Sequence, residues 1–288
     1  MWLVAINPQA GNGRGASAAA KVTSLLHSRS VEYNAIAAAS ANELATQLAN
    51  ELDRGKYEGL ISVGGDGLAH LVMQICVPRQ IPFAIIPAGT GNDFVRSLGW
   101  SLENYELFLE KVLTTEPSEI DLGNVDSEWF GAILSTGFDS VVNERANRLT
   151  WPKGPQRYNL AIALELPKFK AIEYEITCDN KTFTTEAMLV AVGNGKSYGG
   201  GMNVCPHAQM HDGLFDIVYL EPVSKTEFLK VFPKVYSGSH LSHPAVKTLR
   251  ATKVRINAKA VAYADGERIG PAPISAECVK GAGLTWIL

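Results

Sequence analysis

Two glycine-bracketed acidic turns, one strand and one helix apart, constrain this chain more than any other feature: Val63-Gly64-Gly65-Asp66-Gly67 and Pro87-Ala88-Gly89-Thr90-Gly91-Asn92-Asp93. Each follows a short apolar run, Gly59 to Val63 or Phe83 to Ile86, and each opens into a helical pattern. Glycine at such a place lets the backbone approach a ligand closely and take positive φ, and the helix start that follows offers free N–H groups to an anion. An ordinary tight turn needs one glycine or two, not three around an aspartate. The pair therefore describes a cradle for nucleotide phosphates; two ligand-free βα turns are the competing reading.

Up to about Pro117, short apolar runs alternate with helical stretches. Trp2 to Ile6, Tyr33 to Ala37, Leu60 to Val63 and Phe83 to Ile86 read as strands, and Ala16 to Ser28, Ala41 to Leu52, Leu68 to Val77 and Leu102 to Thr114 as helices. That alternation predicts βαβ units and a mostly parallel sheet, with ligands bound beyond the carboxyl ends of its strands. After Glu119 the texture changes. Strands are expected at Trp129 to Leu134, Ile172 to Thr177, Ala187 to Val192, Phe215 to Leu220, Val246 to Ile256 and Ala260 to Tyr263, with helices near Gln156 to Leu166 and Thr226 to Tyr236. Turn signals such as Asp179-Asn180 and Asp265-Gly266 make this half antiparallel and sandwich-like. With 288 residues, two domains are expected, an α/β domain over residues 1–120 and a β-rich sandwich over 121–283.

A net charge of −3 leaves no global basic field to hold nucleic acid. No apolar run approaches the roughly 18 residues that span a bilayer, and Met1 to Ile6 reads as a first strand, not a signal peptide. The four cysteines are scattered with no C-x-x-C pair, which fits a reduced cytoplasmic interior.

Other motifs fail on inspection. Gly11-Asn12-Gly13-Arg14-Gly15-Ala16 matches the dinucleotide pattern, yet Asn7-Pro8 delays the glycines, and Glu32 lies at the start of the second strand, where a ribose-binding acid is misplaced. The loop reads instead as a flap on nucleotide phosphates with Arg14 as a phosphate partner, or as a structural turn. Gly195-Lys196-Ser197 resembles a P-loop tail, but Val190 stands where the opening glycine must be. His207 and His211 are four apart, but Pro206 and Asp212-Gly213 argue for a loop, so zinc is disfavoured and a hard cation held by Asp212 and carbonyl oxygens is the better expectation. Asp265-Gly266-Glu267 offers two carboxylates at a hairpin turn, a sequence that is usually only a turn.

In order, Asn7-Pro8-x-x-Gly11, Gly64-Gly65-Asp66-Gly67, Pro87-x-Gly89-Thr90-Gly91-Asn92-Asp93-Phe94, the Gly199-Gly200-Gly201 to Pro206 segment with Asp212-Gly213-Leu214, and Asp265-Gly266-Glu267 resemble the diacylglycerol kinase catalytic family, especially its soluble bacterial lipid kinases. The resemblance runs over nearly the whole chain and extends more remotely to sphingosine and NAD kinases. It implies a Rossmann-like α/β domain and a β-sandwich with the site between them, the last strand, Leu284 to Leu288, returning to the first domain. It implies ATP and Mg²⁺ as cofactors, with Asn7, Gly11, Arg14, Gly64, Gly65, Asp66, Gly67, Leu68, His70, Gly89, Thr90 and Asn92 around the nucleotide. Asp66, Asp265 and Glu267 would be catalytic, and Gln209, Asp212 and Leu214 would form a structural Mg²⁺ site. The acceptor would be a lipid at a membrane surface, the enzyme a peripheral cytoplasmic protein for which a homodimer is compatible. Two positions depart from the family pattern: Leu68 and His70 stand where the family usually has Thr and Asn, and at both places this chain resembles sphingosine kinases. Diacylglycerol is the expected acceptor, with a sphingoid base or NAD as rivals and a non-catalytic nucleotide- or lipid-binding module as the reading from another class.

Overall fold

The computed structural model describes residues 1–100, 104–151 and 155–288. The chain divides into two compact units, the first made of Met1–Leu122, Met210–Asp212 and Val279–Leu288, the second of Gly123–Gln209 and Gly213–Cys278.

In the first unit, β1 (Trp2–Ile6), β2 (Tyr33–Ala37), β3 (Gly59–Gly64) and β4 (Phe83–Pro87) form a parallel sheet in the order β2-β1-β3-β4. Every residue of β3 and β4 is buried, the signature of strands covered on both faces, where alternation disappears and continuous Leu-Ile-Val runs take its place. The helices α1 (Ala10–Ser28), α2 (Ala41–Asp53) and α3 (Asp66–Cys76) connect them. Ser40 caps α2 by accepting from the Glu43 amide at 3.2 Å, and Leu44, Leu48 and Leu52 form its buried stripe. After the short α4 (Asp93–Ser97), α5 covers Tyr105–Thr114; the expected start of that helix at Leu102 lies outside the described residues.

The chain leaves this unit within β5 (Ser118–Val125) and returns within β16 (Ile274–Thr285). The returning end is tied down polar group by polar group: the Thr285 hydroxyl donates to the Phe83 carbonyl at 2.6 Å, the Trp100 indole to the Trp286 carbonyl at 2.8 Å, and the Trp286 indole to the Thr115 carbonyl at 2.9 Å. The rings of Trp286 and Trp2 lie 5.9 Å apart.

The second unit contains β6 (Glu128–Phe130), β7 (Ile133–Gly137), β8 (Ile172–Cys178), β9 (Lys181–Ala187), β10 (Leu189–Gly193), β11 (Phe215–Leu220), β12 (Val246–Ala251), β13 (Lys253–Ala258), β14 (Val261–Ala264) and β15 (Glu267–Pro271). One sheet runs β12-β11-β10-β7-β14-β15, the other β6-β5-β16-β13-β8-β9. Phe130, Tyr174, Ile176, Val192, Phe215 and Ile256 belong to the sandwich core. The helices α6 (Phe138–Arg148), α7 (Pro155–Glu165) and α8 (Lys225–Val231) contribute Phe138, Val142, Ala161 and Phe228 to a second cluster, with Met188 and with Ala191 and Leu220 of the first sheet.

Three runs expected as single strands are each divided. Trp129 to Leu134 becomes β6 and β7 because Gly131 and Ala132 turn their amides to the Asp265 carboxylate, at 2.7 and 2.9 Å. Val246 to Ile256 becomes β12 and β13, which lie in different sheets; the Asp179 carboxylate accepts the Thr252 and Lys253 amides, at 3.0 and 2.9 Å, where the chain changes sheet. Ala187 to Val192 is divided at Met188, which separates β9 in one sheet from β10 in the other. The helix expected over Thr226 to Tyr236 holds only to Val231; Pro233 lacks an amide donor, and the chain tightens into a 3₁₀ turn over Phe232–Ser237.

Candidate active site

The parallel sheet places three loops at the carboxyl ends of neighbouring strands: Asn7 to Arg14 after β1, Gly64 to Gly67 after β3, and Pro87 to Asp93 after β4. They are bonded to one another mainly through backbone. The Asn7 amide donates to the Val63 carbonyl at 3.0 Å, and the Ala88 and Gly89 amides donate to the Gly64 carbonyl at 2.7 and 3.2 Å. Regular helix in α1 starts only after Gly11, Asn12 and Gly13, which have φ of 56°, 59° and 94°. A Cβ on Gly11 would collide with the Ala88 carbonyl, and one on Gly89 would lie 2.5 Å from the Gly65 Cα. Arg14 donates from Nη2 to the Gly89 carbonyl at 2.6 Å and from Nε to the Gly11 carbonyl at 3.2 Å, so it ties the first loop to the third.

Asp66 joins the second loop to the third. Its Oδ2 accepts the Asn92 amide at 2.9 Å and its Oδ1 the Asp93 amide at 3.1 Å. Asn92 itself is buried with φ 55°, and its side chain closes the Gly89 turn by accepting from the Gly89 amide at 3.2 Å and donating to the Gly89 carbonyl at 3.1 Å. Asn7 accepts the Gln9 amide at Oδ1. Gly67 and Thr90 are exposed, whereas Leu68 and His70 are each 5 % exposed and stand among the buried residues of α3. The residue before α3, Gly65, supplies no capping side chain. An eleven-residue helix thus begins at the mouth of the loops with its first turn uncapped by a side chain, an arrangement suited to an anion.

In the second unit, Asp265 and Gly266 form the turn between β14 and β15, with φ of 50° and 88°. The Asp265 carboxylate accepts three amides, from Gly131, Ala132 and, at 3.1 Å, Ile133. Glu267, two residues on, is exposed. Of the residues expected around a cation, Asp212 is half-buried and belongs to the first unit, while Gln209 and Leu214 belong to the second. The Met210 carbonyl beside them accepts the Asp121 amide at 2.7 Å, and the Asp121 carboxylate accepts the Gly281 amide at 2.9 Å. Among the described residues no group of three or more His, Cys, Asp or Glu side chains is placed to hold a metal.

Sequence reasoning did not find the amide-binding roles of Asp265, Asp179 and Asn92, because each partner is remote or its geometry is left-handed. Nor did it find Asp139 at the start of α6. The Asp139 carboxylate oxygens are buried without a full hydrogen bond, although the Ser135 hydroxyl and the Ser140 amide are near, and burial pushes its pKa up to about 6.

Residues 1–125 match the family model described as "Diacylglycerol kinase catalytic domain", and residues 132–285 match "YegS C-terminal NAD kinase beta sandwich-like domain". A protein of Mycobacterium tuberculosis named diacylglycerol kinase is 34 % identical over 283 residues, covering 96 % of this chain and 91 % of that one. One of Bacillus subtilis with the same name is 30 % identical over 80 % of this chain and 77 % of its own. The solved structure of a putative diacylglycerol kinase from Bacillus anthracis shares the fold, with a TM-score of 0.79 at 22 % identity over all of this chain and 97 % of that one. An α/β unit with strand-end glycine loops, followed by an antiparallel sandwich and matched by relatives along almost its whole length, places this chain in the diacylglycerol kinase family, a family of kinases.

Proposed function

We propose that this protein is an ATP-dependent lipid kinase that transfers the γ-phosphoryl group to the hydroxyl of diacylglycerol, giving phosphatidate, and that it works as a peripheral protein on the cytoplasmic side of a membrane. The observation that carries the reading is Asp66, whose carboxylate binds the amides of one glycine loop from its place in the other. It makes two turns into one rigid rim beside the uncapped start of α3.

Phosphoryl transfer asks a protein chiefly for positioning and charge neutralisation. The amides of Gly64, Gly65 and Gly67 would hold the phosphates, with Asn7 and Thr90 adding side-chain hydrogen bonds and Arg14 countering charge. Mg²⁺, when bound, would neutralise phosphate charge, with Asp66 as its ligand through water and Asp212 for a structural ion. The lipid oxygen forms its bond to the γ-phosphorus as the bond to the ADP oxygen breaks, and the hydroxyl proton passes to a carboxylate. We assign that proton to Glu267, because Asp265 already spends its oxygens on three amides and so sets the position of the turn. The acceptor assignment is drawn from the names of the relatives.

Purified protein with Mg-ATP should phosphorylate diacylglycerol in preference to sphingosine and NAD when the three are assayed side by side. ATP binding with no acceptor phosphorylated would refute the reading and leave a nucleotide-binding module.

A further inference from the structure

Glu144, in the middle of α6, reaches both strands of the hairpin that carries Asp265 and Glu267. Phe138, Val142 and Ala146, four residues apart, seat the helix in the second cluster, and Glu144 stands off that stripe with a side chain 26 % exposed. Its Oε1 accepts the Tyr263 hydroxyl at 3.2 Å and the Arg268 Nε at 2.8 Å, and its Oε2 accepts Arg148 Nη2, one helical turn on, at 3.2 Å. Tyr263 of β14 and Arg268 of β15 face each other in register, one step behind Ala264 and Glu267, which flank the Asp265-Gly266 turn. A single carboxylate of α6 thus grips a cross-strand pair just behind the exposed acid.

The hairpin needs such a grip. β15 stands at the edge of its sheet, β14 is four residues long, and their register shifts between Ala262 and Tyr263. A two-stranded tip this short holds its shape in water only with outside support. Asp265 supplies support from the junction of β6 and β7, through three amides; Glu144 supplies it from α6, through different residues. Successive strand residues point to opposite faces, so Glu144 holds Arg268 on one face of β15 and leaves Glu267 on the other. The Arg268 hydrogen bond holds the Glu144 carboxyl below the usual carboxylate range, so the clamp is charged at neutral pH. Arg268 is 52 % exposed, and ion pairs this open to water add little to global stability. A catalytic group displaced by about 1 Å, in contrast, loses about 10²-fold in rate. The clamp therefore matters more to where the tip stands than to whether the unit folds.

We propose that Glu144 is a positioning residue, which through Tyr263 and Arg268 fixes the tip of the β14–β15 hairpin and with it the carboxylate of Glu267. The inference rests on the lipid-kinase reading and its assignment of Glu267 as the proton acceptor. Glu144 acts at a remove from the reacting atoms: it takes no proton and meets no substrate, and its whole effect passes through the hairpin.

The test places Glu144→Ala in three backgrounds, the intact protein, Arg268→Ala and Glu267→Gln. Each form is assayed with Mg-ATP and diacylglycerol, and amide hydrogen exchange is followed over residues 260–271. Glu144→Ala alone should lower kcat by about 10- to 10²-fold while KM for ATP and the melting temperature stay unchanged. Exchange at the hairpin tip should speed up by at least about ten-fold, with the rest of the second unit unaffected. Glu144→Gln keeps an oxygen for the same two donors and should recover most of the rate. The double variant with Arg268→Ala should be no worse than Glu144→Ala, as expected of residues that act through one contact. Over Glu267→Gln, Glu144→Ala should cost nothing further in kcat, because the group it positions is gone; a residue that merely stabilises the unit would cost the same in both backgrounds. Unchanged hairpin exchange in Glu144→Ala would overturn the proposal, as would a kcat loss that persists in full over Glu267→Gln. Faster exchange confined to the hairpin, with no acceptor phosphorylated by any form, would sustain the clamp and defeat the kinase reading alone.

Discussion

Asp66 and Asp265 do similar work in two differently built units. Each lies at a glycine turn, and each spends its carboxylate on backbone amides of a neighbouring segment, two for Asp66 and three for Asp265. Their surroundings part company there. The partners of Asp66 are in a loop one parallel strand away, so the bond joins two turns on one rim. The partners of Asp265 lie at the junction of β6 and β7, where the bond breaks what would otherwise be one strand. In the first unit a carboxylate assembles a cradle; in the second it sets where strands stop and how a hairpin is aimed. Shared chemistry does not make the two aspartates equivalent, and it leaves Glu267 as the exposed acid of the second turn.

The strongest way to break that contrast is to neutralise each acid in turn. Asp66→Asn should lose at least about 10²-fold in kcat while its circular dichroism stays native, since positioning and charge at the phosphates fail together. Glu267→Gln should lower kcat by about 10²- to 10⁴-fold with no change in melting temperature, as removal of a base does. Asp265→Asn should lose activity and stability together. A Glu267→Gln enzyme of full activity would return the base role to Asp265 or Asp66.

Asp139 sharpens the comparison from the other side, as a buried acid whose oxygens make no full hydrogen bond, unlike those of Asp66 and Asp265. With its pKa raised from 3.8 to about 6 by burial, the unfolded chain releases this proton first as pH rises. Stability falls between about pH 4 and pH 6, and the deficit persists above that range. A shift of this size corresponds to about 3 kcal/mol. Asp139→Asn should therefore raise stability by about 2–3 kcal/mol near pH 8 and by almost nothing near pH 3.5, read as urea midpoints at both. Equal gains at both would mean that packing, not charge, governs the site.

Gly89→Ala tests the rim itself. The added methyl meets the Gly65 backbone, which cannot rotate away, so about 1–3 kcal/mol of stability should be lost and nucleotide affinity with it. The smallest effect is expected at the sheet change, where Asp179→Ala removes two amide bonds on an exposed turn. About 1 kcal/mol by denaturant titration is the expected loss, with kcat unchanged.

The same contrast explains what could be read from the sequence. The first unit was legible because its covering is periodic: β3 and β4 are buried on both faces, and each glycine loop is a local event at a strand end. In the second unit the run Val246 to Ile256 has two polar gaps in its apolar pattern, Lys247-Thr248 and Thr252-Lys253, and only the remote Asp179 shows that the second is where the chain changes sheets. The helix α6 escaped notice for a related reason. Its face is polar apart from Phe138, Val142 and Ala146, and it earns its place by packing on a sheet that a linear pattern does not reveal. At the site, the glycines and acids stood out as residues, but their division of labour did not. Whether a carboxylate binds amides or faces an acceptor depends on partners as far as 134 positions away.

The return of Val279–Leu288 to the first unit bears on how the chain is made. A ribosome delivers Phe83, Thr115 and Trp2 long before Thr285 and Trp286, whose hydroxyl and indole complete them. The first unit must therefore wait, one seam open, through synthesis of the entire sandwich, until Val279–Leu288 is made.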